Sequence, residues 1–157
     1  MNEKYARAAV QIGNQICRDA FRHDGKCNWV ACTTEPEGQA QKPYYHALKG
    51  DWYGGSSGIA FFLAQLYAYS KNEIHKQVAR EAIRQALDNA GEIALGKTGF
   101  HTGWTGIAYA AIAVGERTAT PGLISEGLKM LEQIDALPEE EYSLDEIDGC
   151  AGANPAI

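Results

Sequence analysis

A glycine motif with fixed spacing recurs three times and constrains what this chain can fold into. The stretches GSSGIA, GWTGIA and GCAG begin at Gly55, Gly103 and Gly149. The second glycine of each motif follows the previous one after 48 and then 46 residues, and the Ile-Ala pair after it occurs in the first two motifs. A motif that recurs with such a period indicates an architecture of repeated supersecondary units. We therefore place the repeat starts near these three glycines.

Two helices are predicted after each complete motif. The residues that follow Gly58, IAFFLAQLYAY, are apolar on nearly every side, which is typical of a buried helix. Residues 75–90 instead carry one apolar stripe with charges opposite, as a half-exposed helix does. In the second unit, Thr120 and Pro121 provide an N-cap and a first helical residue for the outer helix. Another amphipathic helix is predicted over about residues 2–21.

These patterns predict an all-α fold in which buried inner helices alternate with amphipathic outer helices. No stretch shows a sustained alternation of apolar and polar residues, so no strand is predicted. We treat residues 1–157 as a single domain built from helical hairpins. Residues 22–54 are rich in glycine, proline and polar residues, and they are predicted to form a long ordered loop anchored by aromatic side chains.

Composition and charge narrow the function classes. The chain has 157 residues and a formal charge of −6, which disfavours binding to a nucleic-acid backbone. Its most apolar run is about a dozen residues, shorter than the roughly 20 that cross a bilayer. The charged start lacks the apolar core of an export signal. The four cysteines therefore indicate reduced thiols and a cytoplasmic protein (Cys17, Cys27, Cys32 and Cys150).

Three stretches resemble the repeat signatures of lanthionine synthetase C-like proteins. They are WYGGSSGIAFFLAQLY, TGFHTGWTGIAYA and LDEIDGCAGA, and they occur in the family's order over roughly residues 28–157. Members of this family close thioether rings in peptides by adding cysteine thiolates to dehydrated Ser or Thr. The resemblance implies an α/α toroid in which seven inner helices form a barrel inside seven outer ones.

Measured against that toroid, the sequence holds two inner helices and the start of a third, about three of seven repeats. We expect the chain to be the N-terminal part of a longer cyclase domain. The alternative is completion of the toroid by other chains. The resemblance further implies a precursor peptide as partner. The charge and the short apolar run predict neither a nucleic acid nor a membrane as partner.

The resemblance also implies a zinc ion bound by two cysteines and a histidine in Trp-Cys and Cys-His-Gly motifs, neither of which occurs in this sequence. No zinc is therefore expected in this chain, although zinc is expected if the C-terminal repeats are present. One catalytic position does match the family. Asp145 lies four residues before Gly149, where the family has an aspartate, and is the candidate proton-handling residue.

Other interpretations of these carboxylates remain open. Asp145 also belongs to an acidic stretch, and Asp148 is the stronger helix-capping candidate. Asp51 stands at the same offset before Gly55, so a pair of carboxylates in a sugar-processing toroid is one alternative, with structural capping by Asp51 the simpler explanation. A non-catalytic helical scaffold that binds a peptide or a protein is the other alternative.

Overall fold

The computed structural model describes residues 3–37, 40–94, 96–138, 144–145, 147 and 149–152. Five α-helices lie in these ranges: α1 (Glu3–Asp19), α2 (Ser56–Ser70), α3 (Glu73–Asp88), α4 (Trp104–Thr118) and α5 (Pro121–Asp135). Four strands lie between α1 and α2: β1 (Phe21–His23), β2 (Lys26–Asn28), β3 (Val30–Glu37) and β4 (Ala40–Ala47). Short 3-10 turns span Ala90–Glu92 and Cys150–Gly152.

The predicted helical hairpins are confirmed. The inner helices α2 and α4 pack against each other, α3 packs on α2, and α5 packs on α4. The core lies where these helices meet. It contains many alanines and several large, fully buried side chains: Leu63, Val78, Ile83, Ile107 and Val114. Burying each of these side chains contributes roughly 1.5–3 kcal/mol to folding.

Helix starts follow the sequence rules only in part. Asn72 caps α3, because its side chain accepts a hydrogen bond from the amide of Ile74 at 3.0 Å. The helix α5 begins at Pro121 as predicted, but the side chain of Thr120 makes no capping hydrogen bond. Its hydroxyl lies 3.0 Å from that of Thr118 instead. Proline has no backbone N–H, so at the first helical position it leaves one amide fewer for a cap to satisfy.

The predicted loop over residues 22–54 is wrong for most of its length. Strands β1 and β2 form one antiparallel hairpin, and β3 and β4 form a second, longer one. Asp24 and Gly25 have φ values of 49° and 70°, which fit the two-residue turn that joins β1 to β2. Both faces of the β3–β4 ribbon carry exposed side chains, so the alternation that reveals a half-buried strand is missing.

A buried histidine ties α1 to the turn between α2 and α3. His75 is fully buried, with Nε2 2.9 Å from Asn14 Oδ1 and Nδ1 3.1 Å from Ser70 Oγ. These partners fit a neutral ring whose Nε2–H donates to Asn14 while the Ser70 hydroxyl donates to Nδ1. Burial lowers the pKa of His75 below its ordinary 6.5.

We expect the free energy of unfolding to decrease as the pH falls from above about 6.5. The unfolded chain takes up the proton at the ordinary pKa of histidine, whereas folded His75 resists it, so acid favours unfolding. Urea titrations of the wild type and His75→Gln at several pH values test this. The variant should have a shallower slope against pH than the wild type. Equal slopes in the two proteins would contradict this role of His75.

No helix in the described part of the chain is long and apolar enough to cross a membrane.

Candidate functional site

The first two glycine motifs form the same turn at the start of an inner helix. Gly55 and Gly103 occupy the N-cap positions of α2 and α4 with nearly equal φ and ψ, −120° and −172° against −113° and −169°. The next amide of each turn donates to the carbonyl of a lysine seven residues earlier. These bonds are Ser56 N to Lys49 O at 2.8 Å and Trp104 N to Lys97 O at 3.0 Å. The sequence repeat is therefore also a backbone repeat.

The second glycine of each motif is required by close backbone contact. A Cβ atom on Gly58 would collide with the carbonyl oxygen of Trp52, and one on Gly106 would collide with that of Phe100. In both repeats the blocking carbonyl lies six residues before the glycine. Each motif thus lets the preceding loop lie directly against the first turn of its inner helix.

The third motif begins the same turn. The amide of Gly149 donates to the carbonyl of Asp145 at 2.9 Å, as Gly103 does to Gly99 at 3.1 Å. This equivalence places Asp145 at the position of Gly99 in the second turn and of Asp51 in the first. Asp148, the capping candidate, lies outside the described residues.

Hydrogen bonds join neighbouring turns. The amide of Tyr53 in the first turn donates to the carbonyl of His101 in the second at 2.8 Å. The hydroxyl of Thr102 in the second turn donates to the carbonyl of Ile147 in the third at 3.3 Å. The three turns therefore lie side by side at one end of the helical array, which we call the turn end.

The two aspartates at equivalent positions have different environments. Asp51 is only 7% exposed, and its Oδ1 accepts a hydrogen bond from the amide of Gly54 at 2.7 Å. Asp145 is exposed, although its Oδ1 also accepts from a nearby amide, that of Ile147, at 2.7 Å. Asp51 thus has the geometry of a buried turn-stabilising group, whereas Asp145 lies in an exposed turn.

An aromatic cluster lies beside the turn end. The ring of Trp52 packs at a tilt against both Phe61 and Phe100, with 4.8 Å between ring centroids, and Tyr109 lies 5.4–5.8 Å from all three rings. The Arg117 guanidinium lies over the Phe61 ring, 5.5 Å from its centroid. The rings are only partly buried, so the cluster presents an apolar surface to solvent. Sequence reasoning missed it, although the repeat aligns Trp52 with Phe100 and Phe61 with Tyr109.

His101 extends this cluster toward the third turn. Its exposed ring meets Tyr53 edge-on at 6.4 Å and Phe100 at 5.7 Å between centroids. The next residue, Thr102, contacts the third turn directly. The second turn thus carries His101 beside the aromatic cluster and is hydrogen-bonded to the third turn, which holds Asp145.

The described residues do not form a metal centre. Among them, no three His, Cys, Asp or Glu side chains are grouped closely enough to hold an ion. Burial raises the pKa of Cys17 to about 11 and that of Cys27 to about 12, which disfavours the thiolate that a metal or an electrophile needs. Cys32, by contrast, is exposed on β3.

The fold and the turn end define a class of helical-repeat proteins whose inner helices begin side by side at glycine turns. The chain belongs to the lanthionine synthetase C-like protein family, which it matches over residues 46–156. The matched segment contains all three turns, the aromatic cluster and Asp145. No curated protein matches the chain.

Proposed function

We propose that this chain is part of a cyclase that adds cysteine thiolates to dehydrated Ser or Thr residues of a peptide, forming thioether rings. Family membership supports the reaction type. The observation that carries the assignment to this surface is Asp145, an exposed carboxylate in a turn that is hydrogen-bonded to its neighbour.

The reaction requires one group that takes up and returns a proton. The sulfur forms a bond to the β-carbon of the dehydrated residue, the carbon–carbon double bond becomes an enolate, and a proton is added at the α-carbon. Overall, the thiol hydrogen moves to that carbon. A solvent-accessible carboxylate suits this transfer, and general acid–base catalysis of this kind contributes about 10²–10⁴-fold to a rate. We assign this role to Asp145.

The aromatic cluster supports peptide binding next to Asp145. Covering half-buried rings with an apolar side chain removes apolar surface from water and so favours binding. A peptide lying along the turn end would cover Phe100 and Tyr109. The substrate in this proposal is a flexible precursor peptide. We further propose a cytoplasmic location, which agrees with four cysteines that are all free thiols.

Zinc enters the proposal from outside the described residues, whose side chains do not fit a metal site. In the family, zinc lowers the pKa of the attacking thiol. We propose that further repeats of the natural protein supply the ligands and complete the toroid. The proposed role of Asp145 rests on the family's aspartate at this position and is supported by the exposure of Asp145 in the third turn.

The proposal is tested by counting free thiols in a model substrate. A peptide with one cysteine and one dehydroalanine is incubated with the natural protein, treated with N-ethylmaleimide and weighed by mass spectrometry. Ring closure leaves the peptide mass unchanged and removes the thiol, so closed rings stay unlabelled. We expect the unlabelled product to form faster than in buffer or with heat-denatured protein.

Two results would overturn the cyclase proposal. Binding of the peptide without any loss of thiol above the buffer rate would favour the scaffold alternative. Turnover of a glycoside with no effect on thiols would favour a sugar-processing enzyme.

A further inference from the structure

The β3–β4 ribbon lies almost wholly outside the part of the chain that the family match covers. The match begins at residue 46, so almost the whole ribbon precedes it. Its side chains at the base are solvent-exposed, Val30 at 54% and Tyr45 at 67%. An isolated two-stranded ribbon is at best marginally stable in water, whereas three or more strands that share a hydrophobic face can be stable. A further strand would therefore stabilise it.

A hydrogen bond at the base of the ribbon determines which backbone groups face outward. The amide of Leu48 donates to the carbonyl of Trp29 at 3.1 Å, and the antiparallel register continues from there without interruption. Hydrogen-bonded and non-hydrogen-bonded residue pairs alternate along such a ladder. The non-hydrogen-bonded residues of β3, whose N–H and C=O groups point away from β4, are therefore Val30, Cys32 and Thr34.

The prolines of the ribbon agree with this alternation and leave one edge open. Pro43 lies opposite Thr34, and Pro36 is two residues beyond Thr34, so both occupy outward-facing positions where a missing N–H does not disturb the ladder. Pro43 interrupts the outer edge of β4, and Pro36 ends the row of donors on β3. The open edge is VACTT, residues 30–34, which has no charge and no proline. Natural edge strands usually carry such protection.

We propose that this edge pairs with the same edge of a second copy of the chain, antiparallel and centred on Cys32. In this register Cys32 faces Cys32 of the second copy and Val30 faces Thr34, so every outward N–H of the stretch meets a carbonyl. A shift toward the tip would bring in Pro36, which has no N–H. A shift toward the base would bring in Asn28, which belongs to β2.

A second copy fits better than a charged partner because residues 30–34 carry no charge and their outward N–H and C=O groups are evenly spaced on either side of Cys32. Like strands can therefore approach without electrostatic repulsion. The resulting four-stranded sheet also joins Val30 and Tyr45 of both copies on one face, since Cys32 and Tyr45 are opposite each other in the ribbon. An isologous contact of this kind closes as a dimer.

Oxidative cross-linking with copper–phenanthroline tests the register. Paired hydrogen-bonded residues have Cα atoms about 5.5 Å apart, within the roughly 4.4–6.8 Å that a disulfide spans. Cys32 is exposed, whereas Cys17 and Cys27 are buried. We expect a covalent dimer whose linked peptide joins Cys32 to Cys32. Cys32→Ser should abolish that link and leave the non-covalent dimer intact in sedimentation.

Two proline variants separate the β3 edge from other surfaces. Thr34→Pro removes an outward donor from β3 and keeps Cys32, so self-association measured by sedimentation should weaken about tenfold or more, and cross-linking should fall with it. Ala47→Pro makes the same change on the outer edge of β4 and should leave the dimer unchanged. A monomer at all concentrations, a dimer insensitive to Thr34→Pro, or a cross-link through another cysteine would overturn the proposal.

Discussion

Gly106→Ala is expected to destabilise the protein by roughly 3 kcal/mol or more. The new Cβ would overlap the carbonyl oxygen of Phe100 and lie 2.8 Å from Cβ of Trp52. Neither obstacle is the flexible end of a side chain. The Phe100 oxygen is backbone, and the Trp52 Cβ carries a ring that packs on three aromatic neighbours. Relief would require the second turn to move away from α4. The free energy of unfolding in urea measures the effect.

Gly122→Ala is the matched control for this substitution. Gly122 lies in the first turn of α5, and a Cβ there would meet nothing within 4 Å. Alanine in a helix is favoured over glycine by up to about 1 kcal/mol, so this variant should be as stable as the wild type or more stable. Equal stability of the Gly106 and Gly122 variants would show that the close turn contact is not required.

Asp145→Asn is expected to slow ring closure by about 100-fold or more. The amide keeps an oxygen that can accept the hydrogen bond from Ile147, so the turn is preserved while the group that exchanges a proton is lost. The initial rate of thiol loss in the maleimide assay gives the magnitude. Thermal unfolding of the same preparation verifies that the fold is unchanged.

Asp51→Asn provides the matched control within the same chain. It makes the same chemical change at the equivalent position of the first turn, where the carboxylate is buried against the amide of Gly54. The amide oxygen can accept this bond as well, so turn geometry and ring closure should both be retained. A large loss of rate in this variant would point to Asp51, and to a carboxylate pair.

The repeat could be predicted from sequence because its cause is local. Each glycine is fixed by contact with a carbonyl six residues earlier, so the motif and its period are visible in the chain itself. The buried and half-exposed helices follow from apolar patterns that packing did not override. The position of Asp145 in the third turn follows from the same spacing.

The strands and the aromatic cluster depend on other causes. The Asp24-Gly25 pair favours a two-residue hairpin turn between β1 and β2, whereas the polar composition around it favours a loop. The β3–β4 ribbon has no buried face, so its sequence does not show the alternation of apolar and polar residues that indicates a strand. The rings of Trp52 and Tyr109 meet only because α2 and α4 pack side by side. A single sequence does not show which helices pack together.

We propose that equivalent turn positions serve different purposes, structural at Asp51 and chemical at Asp145. The most direct measurement is the ratio of thiol-loss rates of Asp51→Asn and Asp145→Asn, on preparations with equal unfolding midpoints. We expect a ratio of about 100 or more, with Asp51→Asn near the wild-type rate. A ratio near one, with both variants as active as the wild type, would contradict it and remove Asp145 from the chemistry.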